Sequence, residues 1–396
     1  MPSICSRVGL ALLAAAVLGV GSACTSTPSA FKAGSETSVI TWQDARSAGL
    51  RQRWHRYVGL SPEDRVSNIW RVGDRLYVVT HKNELIAVDA SAGTIAWHGA
   101  IEGAATKVTR PVELPGNQVL VVNRANAFLF DGATGRKLVN RPLGFSVSTD
   151  PVISGNIIGI GGPNFFYGLY ADLLRGVEGE NAGNSSATVA PPPVLSTNAK
   201  WITPAPNDFF GARPAVAGDN FVLATNQGIL WKINAANGEW DWKDRKVNGG
   251  VVAPLSVDGK AVYIPCLDQR LYAFDLLSGA HLWDARLEGR LEQQAVPVGN
   301  TVLVVSQSKG MYAVAADKGE IKYNIPEVAR VLGSVGDKAY ASTNSNQLLM
   351  FNIETGEKVS TTNIQGEAYF VANNKTDGLV FVATIDGRIA AYEQVK

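Results

Sequence analysis

Cysteine is scarce in this chain of 396 residues, which contains three. Cys5 and Cys24 lie in or beside an apolar N-terminal run, so only Cys266 remains for the folded part of the protein. A disulfide framework is therefore excluded, because it needs at least two cysteines in the folded body. Cys266 follows the strand-like run 261–265, where a lone cysteine usually behaves as a small buried hydrophobe.

Histidine is almost as scarce, and no two cysteines are adjacent. The four histidines lie in different parts of the chain without the spacing of a zinc site or of a nucleophile and its base: His55, His81, His98 and His281. These absences argue against catalysis. We expect a protein that is not an enzyme and that needs no metal or cofactor.

An excess of charge of either sign is also missing. Lysine and arginine number 36 and aspartate and glutamate 35, which gives a net charge of +1 at pH 7. A protein that binds nucleic acid usually shows a basic patch or stripe. The only local basic cluster, Arg51, Arg53 and Arg56, lies along a single candidate strand. Nucleic acid is therefore excluded as a partner.

The first 23 residues are predicted to be a signal peptide. Arg7 precedes an uncharged run from Val8 to Ala23, which is shorter than the roughly 20 residues of a membrane-spanning helix. Residues 21–24 resemble a bacterial lipobox, which implies that Cys24 carries lipid; the alternative is ordinary cleavage that leaves Cys24 as a free thiol. Residues 24–47 are predicted to form the anchor and a flexible tether. Since Thr25, not aspartate, follows Cys24, the resemblance implies the outer membrane.

A repeat of about 40 residues runs through the rest of the chain. Its signature is Asp or Asn, three residues, Gly, three residues and Trp, as in Asp89, Gly93 and Trp97. The other copies are complete or partly degenerate: Asp131 with Gly135; Asn234, Gly238 and Trp242; Asp275, Gly279 and Trp283; Gly319 with Tyr323; and Asn352 with Gly356. A period of this length, built from apolar strands and turns, is typical of a β-propeller.

Each signature residue is interpreted as structural. The acidic or amide side chain can bond to the backbone of its own turn, and glycine accepts the positive φ that such turns need. The tryptophan is predicted to pack between adjacent blades. Because the aspartates recur at one position of the repeat, we interpret them as turn residues rather than as catalytic acids.

The two ends of the chain are predicted to share a blade. The last repeat stops after residues 384–392, before its tryptophan strand, while Trp54 lies in a strand-like run that precedes the first repeat. That N-terminal strand would complete the C-terminal blade and close the ring. Counting one irregular blade near residues 150–212, we predict an all-β fold: a single propeller of about eight four-stranded blades over residues 48–396. Seven blades is the alternative.

The turn from Ala87 to Trp97 resembles the repeat of the pyrroloquinoline-quinone-type propellers. That resemblance covers nearly the whole chain after the signal peptide and implies the fold. It leaves two functional branches open. Quinoprotein dehydrogenases typically have adjacent cysteines over the quinone, which this chain lacks. The other branch includes the BamB family, propeller lipoproteins of the outer-membrane β-barrel assembly machinery.

The irregular blade has the most unusual sequence. Asn164 is predicted to cap a short helix that reaches Arg175. Its apolar face would contain Phe166, Leu169, Tyr170, Leu173 and Leu174. Such a face either contacts a partner or the membrane surface, or folds onto the neighbouring blade as core. Residues 176–200 are predicted to form a flexible loop insertion.

The sequence thus favours a noncatalytic, lipid-anchored envelope protein that faces the periplasm and binds another envelope protein. The more specific form of this hypothesis is that the protein assists outer-membrane protein assembly, as the BamB family does. One alternative is a propeller that binds a small molecule, a glycan or a quinone-type cofactor in its central funnel. The least favoured alternative is a quinone-dependent dehydrogenase. A scaffold should present an apolar or charged surface on an outer blade or rim. A ligand binder should converge polar and aromatic groups at the funnel.

Overall fold

The described residues form a ring of β-sheets. A computed structural model of the chain describes residues 38–102, 107–172, 195–371, 373 and 377–395. It contains 31 strands in eight sheets. Among the described residues, no helix combines the length and apolar character needed to cross a bilayer.

The chain begins with a short helix, α1 (Trp42–Ser47), and the strand β1 (Leu50–Tyr57). The first four blades follow in order. Blade 1 contains β2 (Val66–Val72), β3 (Arg75–Thr80), β4 (Glu84–Asp89) and β5 (Ile95–Ala100). Blade 2 contains β6 (Val112–Leu114), β7 (Gln118–Asn123), β8 (Asn126–Asp131) and β9 (Lys137–Pro142). Blade 3 contains β10 (Val152–Ser154), β11 (Ile157–Tyr170), a 3-10 helix (Leu195–Asn198) and β12 (Trp201–Phe209). Blade 4 contains β13 (Ala215–Ala217), β14 (Asn220–Ala224), β15 (Ile229–Asn234) and β16 (Trp240–Lys246).

The remaining four blades complete the ring. Blade 5 contains β17 (Ser256–Val257), β18 (Ala261–Pro265), β19 (Arg270–Asp275) and β20 (His281–Arg286). Blade 6 contains β21 (Val296–Val298), β22 (Thr301–Ser306), β23 (Gly310–Ala315) and β24 (Ile321–Ile325). Blade 7 contains β25 (Val328–Val335), β26 (Lys338–Thr343), β27 (Gln347–Asn352) and β28 (Lys358–Asn363). Blade 8 contains β29 (Ala368–Val371), β30 (Leu379–Thr384), β31 (Arg388–Gln394) and, at its outer edge, β1.

The two middle strands of each blade form the core. Their sequences are nearly continuous apolar runs because both faces are covered by neighbouring blades, as in β22 and β23, where every residue is buried. The buried apolar residues group into eight clusters, and each cluster lies between two consecutive blades. The hydrophobic core is therefore a set of eight seams around the ring.

A repeated aromatic contact joins most of these seams. The aromatic residue of one blade's outermost strand lies against the turn glycine of the next blade, so that a Cβ at that glycine would meet the ring. The pairs are Trp54 with Gly93, Trp97 with Gly135, Trp201 with Gly238, Trp242 with Gly279, Trp283 with Gly319 and Tyr323 with Gly356. Each indole N–H also donates to a carbonyl of that same turn, as Trp97 does to Gly132 at 2.8 Å. Trp201 was not recognised in the sequence as a member of this series.

The aspartates of the signature hold their own turns. One carboxylate oxygen of Asp89 accepts hydrogen bonds from the backbone amides of Ser91 and Ala92 and from the Ser91 hydroxyl. These bonds, that of the hydroxyl first, lower the pKa of Asp89 below its usual value. Asp131 and Asp275 make the equivalent bonds.

The N-terminal strand closes the ring. β1 pairs antiparallel with β31, with Leu50 opposite Gln394 and Tyr57 opposite Arg388. Trp54 then reaches the first turn of blade 1, where its indole N–H donates to the Ala90 carbonyl at 3.0 Å. The predicted eight-bladed propeller, closed by its N-terminal strand, is confirmed.

The folded body begins earlier than the predicted residue 48. Val39 and Ile40 are each 1% exposed and pack between blades 7 and 8. The Ile40 amide donates to the Tyr392 hydroxyl at 3.0 Å, and the Val39 carbonyl accepts from the Gln365 amide at 2.8 Å. The last part of the predicted tether is thus a packed segment. Cys24 and the predicted signal peptide lie outside the described residues.

The helix predicted to begin at Asn164 is wrong, because this part of blade 3 is a β-strand. Residues 164–170 belong to β11, which covers 14 residues and would span about 46 Å if it were straight. Instead the Ala171 amide donates to the Asn156 carbonyl at 3.0 Å, so the run folds back on itself. The reversal lies at Asn164, whose φ is 63°. β11 therefore supplies both middle strands of a four-stranded blade.

The reason is tertiary packing. Glycines along β11 leave space above the sheet, and aromatic rings fill it: Phe166 and Phe221 over Gly159, Phe145 over Gly162, and Trp201 over Gly168. An isolated helix over the same residues would leave those rings without partners. The predicted flexible loop is also shorter at its C-terminal end, because residues 195–198 form the 3-10 helix and Leu195 is 1% exposed.

Candidate functional site

The two rims of the propeller differ in what they carry. The signature turns and the turns between the first two strands of each blade share one rim, as the bond from the Ala90 amide to the Asp74 carbonyl shows. The turns between the second and third strands share the other rim with the loops that join blades, since the Leu143 amide donates to the Ala125 carbonyl. We call the latter the hairpin rim.

A group of four aromatic residues, two of them exposed, interrupts the hairpin rim at blade 3. Phe145 stacks on Tyr167, with ring centroids 4.0 Å apart and planes 14° apart, and Phe165 lies 6.2 Å from Tyr167. Phe165 is 40% exposed, and Phe209, which pairs with Pro163 across the sheet, is 42% exposed. These four residues, Phe145, Phe165, Tyr167 and Phe209, are called the aromatic rim.

The equivalent turns of the other seven blades contain no phenylalanine, tyrosine or tryptophan. They span residues 81–83, 124–125, 225–228, 266–269, 307–309, 344–346 and 385–387. Exposed large apolar side chains that cluster together mark interaction surfaces more often than scattered ones do. The aromatic rim is thus a local feature of blade 3, not a general property of the repeat.

The seam between blades 2 and 3 also departs from the repeat. Blade 2 ends its signature with Val139, where five of the other blades have tryptophan. The seam between blades 2 and 3 is filled instead by Leu143, Leu169 and Leu195, with Phe145 and Tyr167 at its outer end. Two residues of the aromatic rim therefore pack against this core: Tyr167 on β11 and Phe145 in the loop that joins blades 2 and 3.

The residues predicted to contact a partner differ in their exposure. Phe166 and Leu169 are buried, at 0% and 2% exposure, because they point into the seams on either side of blade 3. Tyr170 is 37% exposed, and the Lys200 ammonium lies 4.6 Å from its ring centroid. Leu173 and Leu174 lie outside the described residues.

Strand alternation would have located the residues that the helix prediction missed. Phe165 and Phe166 are adjacent, as are Phe209 and Phe210, and in an extended chain the two members of each pair point to opposite sides, so one can be buried while the other is exposed. Phe166 and Phe210 are buried, whereas Phe165 and Phe209 are exposed. A helical reading of residues 164–175 hides this alternation.

The central channel is a second concave feature. It has a volume of about 760 Å³ and is lined by the innermost strands and the residues just before them. Arg110, Asp150 and Arg213 each lie two residues before the innermost strand of blades 2, 3 and 4. They therefore occupy the end of the channel that opens on the hairpin rim.

Burial and mutual repulsion act on the channel arginines. Burial, and then the charge of Arg213, lower the pKa of Arg110 to about 10, while Asp150 opposes the shift. Burial also lowers the pKa of Arg213, again opposed by Asp150. One Arg110 nitrogen donates to the Arg71 carbonyl at 2.6 Å, and the Arg110 backbone amide donates to Asp150 at 3.0 Å.

No metal-binding cluster of histidine, cysteine and carboxylate side chains occurs within the described ranges. Cys266 is fully buried, and burial raises the pKa of its thiol to about 12. A thiol in that state is protonated at neutral pH and is a poor nucleophile.

Comparison with known proteins gives two kinds of result. The sequence model of the family described as outer membrane protein assembly factor BamB matches residues 40–163 and 196–335. No curated protein matches the chain significantly. Among solved structures, the crystal structure of BamB from Moraxella catarrhalis is similar, with a TM-score of 0.65 and 15% identity over 87% of this chain and 97% of that one.

A designed protein shares the same architecture. The crystal structure of the computationally designed Ika8 protein has a TM-score of 0.62 at 12% identity, and the match covers 84% of this chain and 96% of that one. At these identities the two structures show the fold alone. The family match spans more than half of the chain and goes further: this chain belongs to the family of the outer membrane protein assembly factor BamB.

Proposed function

We propose that this protein is a noncatalytic scaffold of the bacterial envelope that binds a subunit of the outer-membrane protein assembly machinery through the aromatic rim. The aromatic rim is the observation that supports the proposal, because it groups two exposed aromatic side chains, Phe165 and Phe209, whereas Tyr57 is a single exposed ring beside the hairpin turn of blade 8. Family membership supplies the class of partner.

The composition of the surface suits protein recognition. Tyrosine and phenylalanine are enriched at the centres of protein interfaces, whereas small-ligand sites are concave. Ile202, 47% exposed, lies opposite Tyr167 on the outermost strand and extends the apolar surface. Because Phe145 and Tyr167 are packed against the core before the partner arrives, these two rings lose little side-chain entropy on binding.

Replacing Phe165 by aspartate tests the contact. We expect the yield of the partner complex to fall about tenfold or more, since a charge would be placed at the centre of an apolar interface. Leu277→Asp is the matched control: Leu277 is 82% exposed, but it lies in a signature turn on the opposite rim. The readout is copurification from detergent-solubilised envelopes, with proteins identified by mass spectrometry.

A photo-crosslinking side chain at position 165 or 277 gives a second readout. The proposal requires a covalent product with an assembly-machinery subunit from position 165 and none from position 277. Equal products from both positions, or a product with no such subunit from position 165, would overturn it.

The lipid anchor is proposed separately, from the lipobox-like residues 21–24. Cys24→Ser removes the thiol that would be acylated, so we expect the protein to move from the membrane to the soluble periplasmic fraction. Fractionation followed by immunoblotting measures this. Retention of Cys24→Ser in the membrane at the level of the unmodified protein would refute lipidation at Cys24.

A further inference from the structure

The charged groups at the hairpin end of the channel are incompletely paired. Nε of Arg213 is buried and has no hydrogen-bond partner among the described residues, and the same holds for the hydroxyl of Ser256, which also lines the channel. Neither Arg110 nor Arg213 forms an ion pair within the part of the chain that the structure describes. Buried polar groups are satisfied in most proteins, so each exception calls for an explanation.

The neighbouring arginine shows what a satisfied group looks like here. Arg71 is 6% exposed, and its guanidinium contacts the carboxylate of Asp377 and the side-chain oxygen of Asn373. Arg213 has no such partner, and Asp150 uses one oxygen to accept the Arg110 backbone amide. The hairpin end of the channel therefore holds two arginines and one adjacent aspartate, which leaves positive charge at this end. Glu113, which also lines the channel, accepts a hydrogen bond from the Tyr77 hydroxyl.

We propose that Arg110 and Arg213 form a binding site for a small oxyanion, a phosphate or carboxylate group, inside the channel. A guanidinium presents two parallel N–H donors that match the oxygens of such groups. An anion between the two arginines would give Nε of Arg213 a partner and relieve their repulsion. The channel volume of about 760 Å³ admits a small molecule that bears the group.

The test is calorimetric titration of the full-length mature protein with inorganic phosphate and, separately, with succinate, at constant ionic strength in chloride buffer. We expect saturable binding of at least one anion, and the stronger of the two identifies the group. Arg213→Gln should weaken binding about tenfold or more, since it removes charge-assisted hydrogen bonds. Arg290→Gln, an exposed arginine in a loop on the same rim, should leave binding unchanged.

Asp150→Asn separates an anion site from a merely structural cluster. Asparagine keeps an oxygen that can accept the Arg110 amide but removes the negative charge, so binding should strengthen severalfold. Arg213→Gln should also raise the melting temperature in anion-free buffer, because it removes a buried charge that Asp150 offsets only in part and whose Nε has no partner. If Arg213→Gln does not fold by circular dichroism, Arg110→Gln takes its place.

Absence of saturable binding of both anions would overturn the proposal. So would binding to Arg213→Gln that equals binding to the unmodified protein, or weaker binding to Asp150→Asn. None of these measurements involves a protein partner, so their outcome does not depend on whether the aromatic rim binds one.

Discussion

Replacing Trp97 by alanine is expected to lower the free energy of unfolding by about 3–5 kcal/mol. Trp97 is 5% exposed, packs 6.1 Å from the Phe130 ring and 6.0 Å from the Tyr77 ring, and donates its indole N–H to Gly132. Alanine would leave a cavity in the seam between blades 1 and 2 and remove one of the hydrogen bonds that join them. Denaturant unfolding of the purified protein measures the loss.

The contact between Trp97 and Gly135 can be isolated by a second substitution. A Cβ at Gly135 would lie 2.6 Å from the Trp97 ring, and the residue has a φ of +69°. Gly135→Ala therefore combines a steric clash with a backbone penalty of about 1–3 kcal/mol. Gly49 has a φ of +67° with nothing within 4 Å of the same position, so Gly49→Ala measures the backbone penalty alone.

The two substitutions should be coupled. In the Trp97→Ala background, Gly135→Ala should cost no more than Gly49→Ala, because the ring that it meets has gone. If Gly135→Ala costs the same with and without Trp97, the close packing of ring and glycine does not stabilise the seam.

The repeat made most of the fold predictable from the sequence. Asp89 and Gly93 determine a turn by local hydrogen bonds and by a positive φ, and neither effect depends on distant residues. Once the turns are fixed at a constant interval, the apolar strands between them must stack, and a closed ring follows. The missing last strand at the C-terminus identified Trp54 as its replacement for the same reason.

The prediction of a helix in blade 3 was wrong because the conformation of this blade is decided by contacts across the sheet. Phe166, Leu169 and Tyr170 have the spacing of a helix face, but Phe166 packs against Phe210 and Phe221, which lie about 40 residues or more away in the sequence. The channel arginines were missed for a related reason. Arg110 and Arg213 come from blades that are not adjacent, and only the ring brings them to one end of the channel.

Removing the closing strand is expected to abolish cooperative folding. A chain of residues 58–395 lacks β1, so the outer edge of β31 loses its partner and the first turn of blade 1 loses Trp54. Both losses expose apolar surface and unpaired backbone groups at one seam. We expect this truncated chain to aggregate or to show no sharp thermal transition, while residues 49–395 melt cooperatively.

Attaching β1 after the C-terminal strand β31 should restore folding of the truncated chain. The Val395 amide donates to the Gly49 carbonyl at 2.8 Å, so a short glycine-containing turn can connect Val395 to residues 49–57 in a chain that starts at Val58. This permutant has the same residues as the chain 49–395 apart from the turn, and it makes blade 8 contiguous like the other seven. Its melting temperature should lie close to that of residues 49–395. The permutant and the chain 49–395 contain the same strands and differ only in the end of the chain to which β1 is attached. If the permutant behaves like the truncated chain, pairing of β1 with β31 is not what closes the ring. The same conclusion follows if the truncated chain melts like residues 49–395.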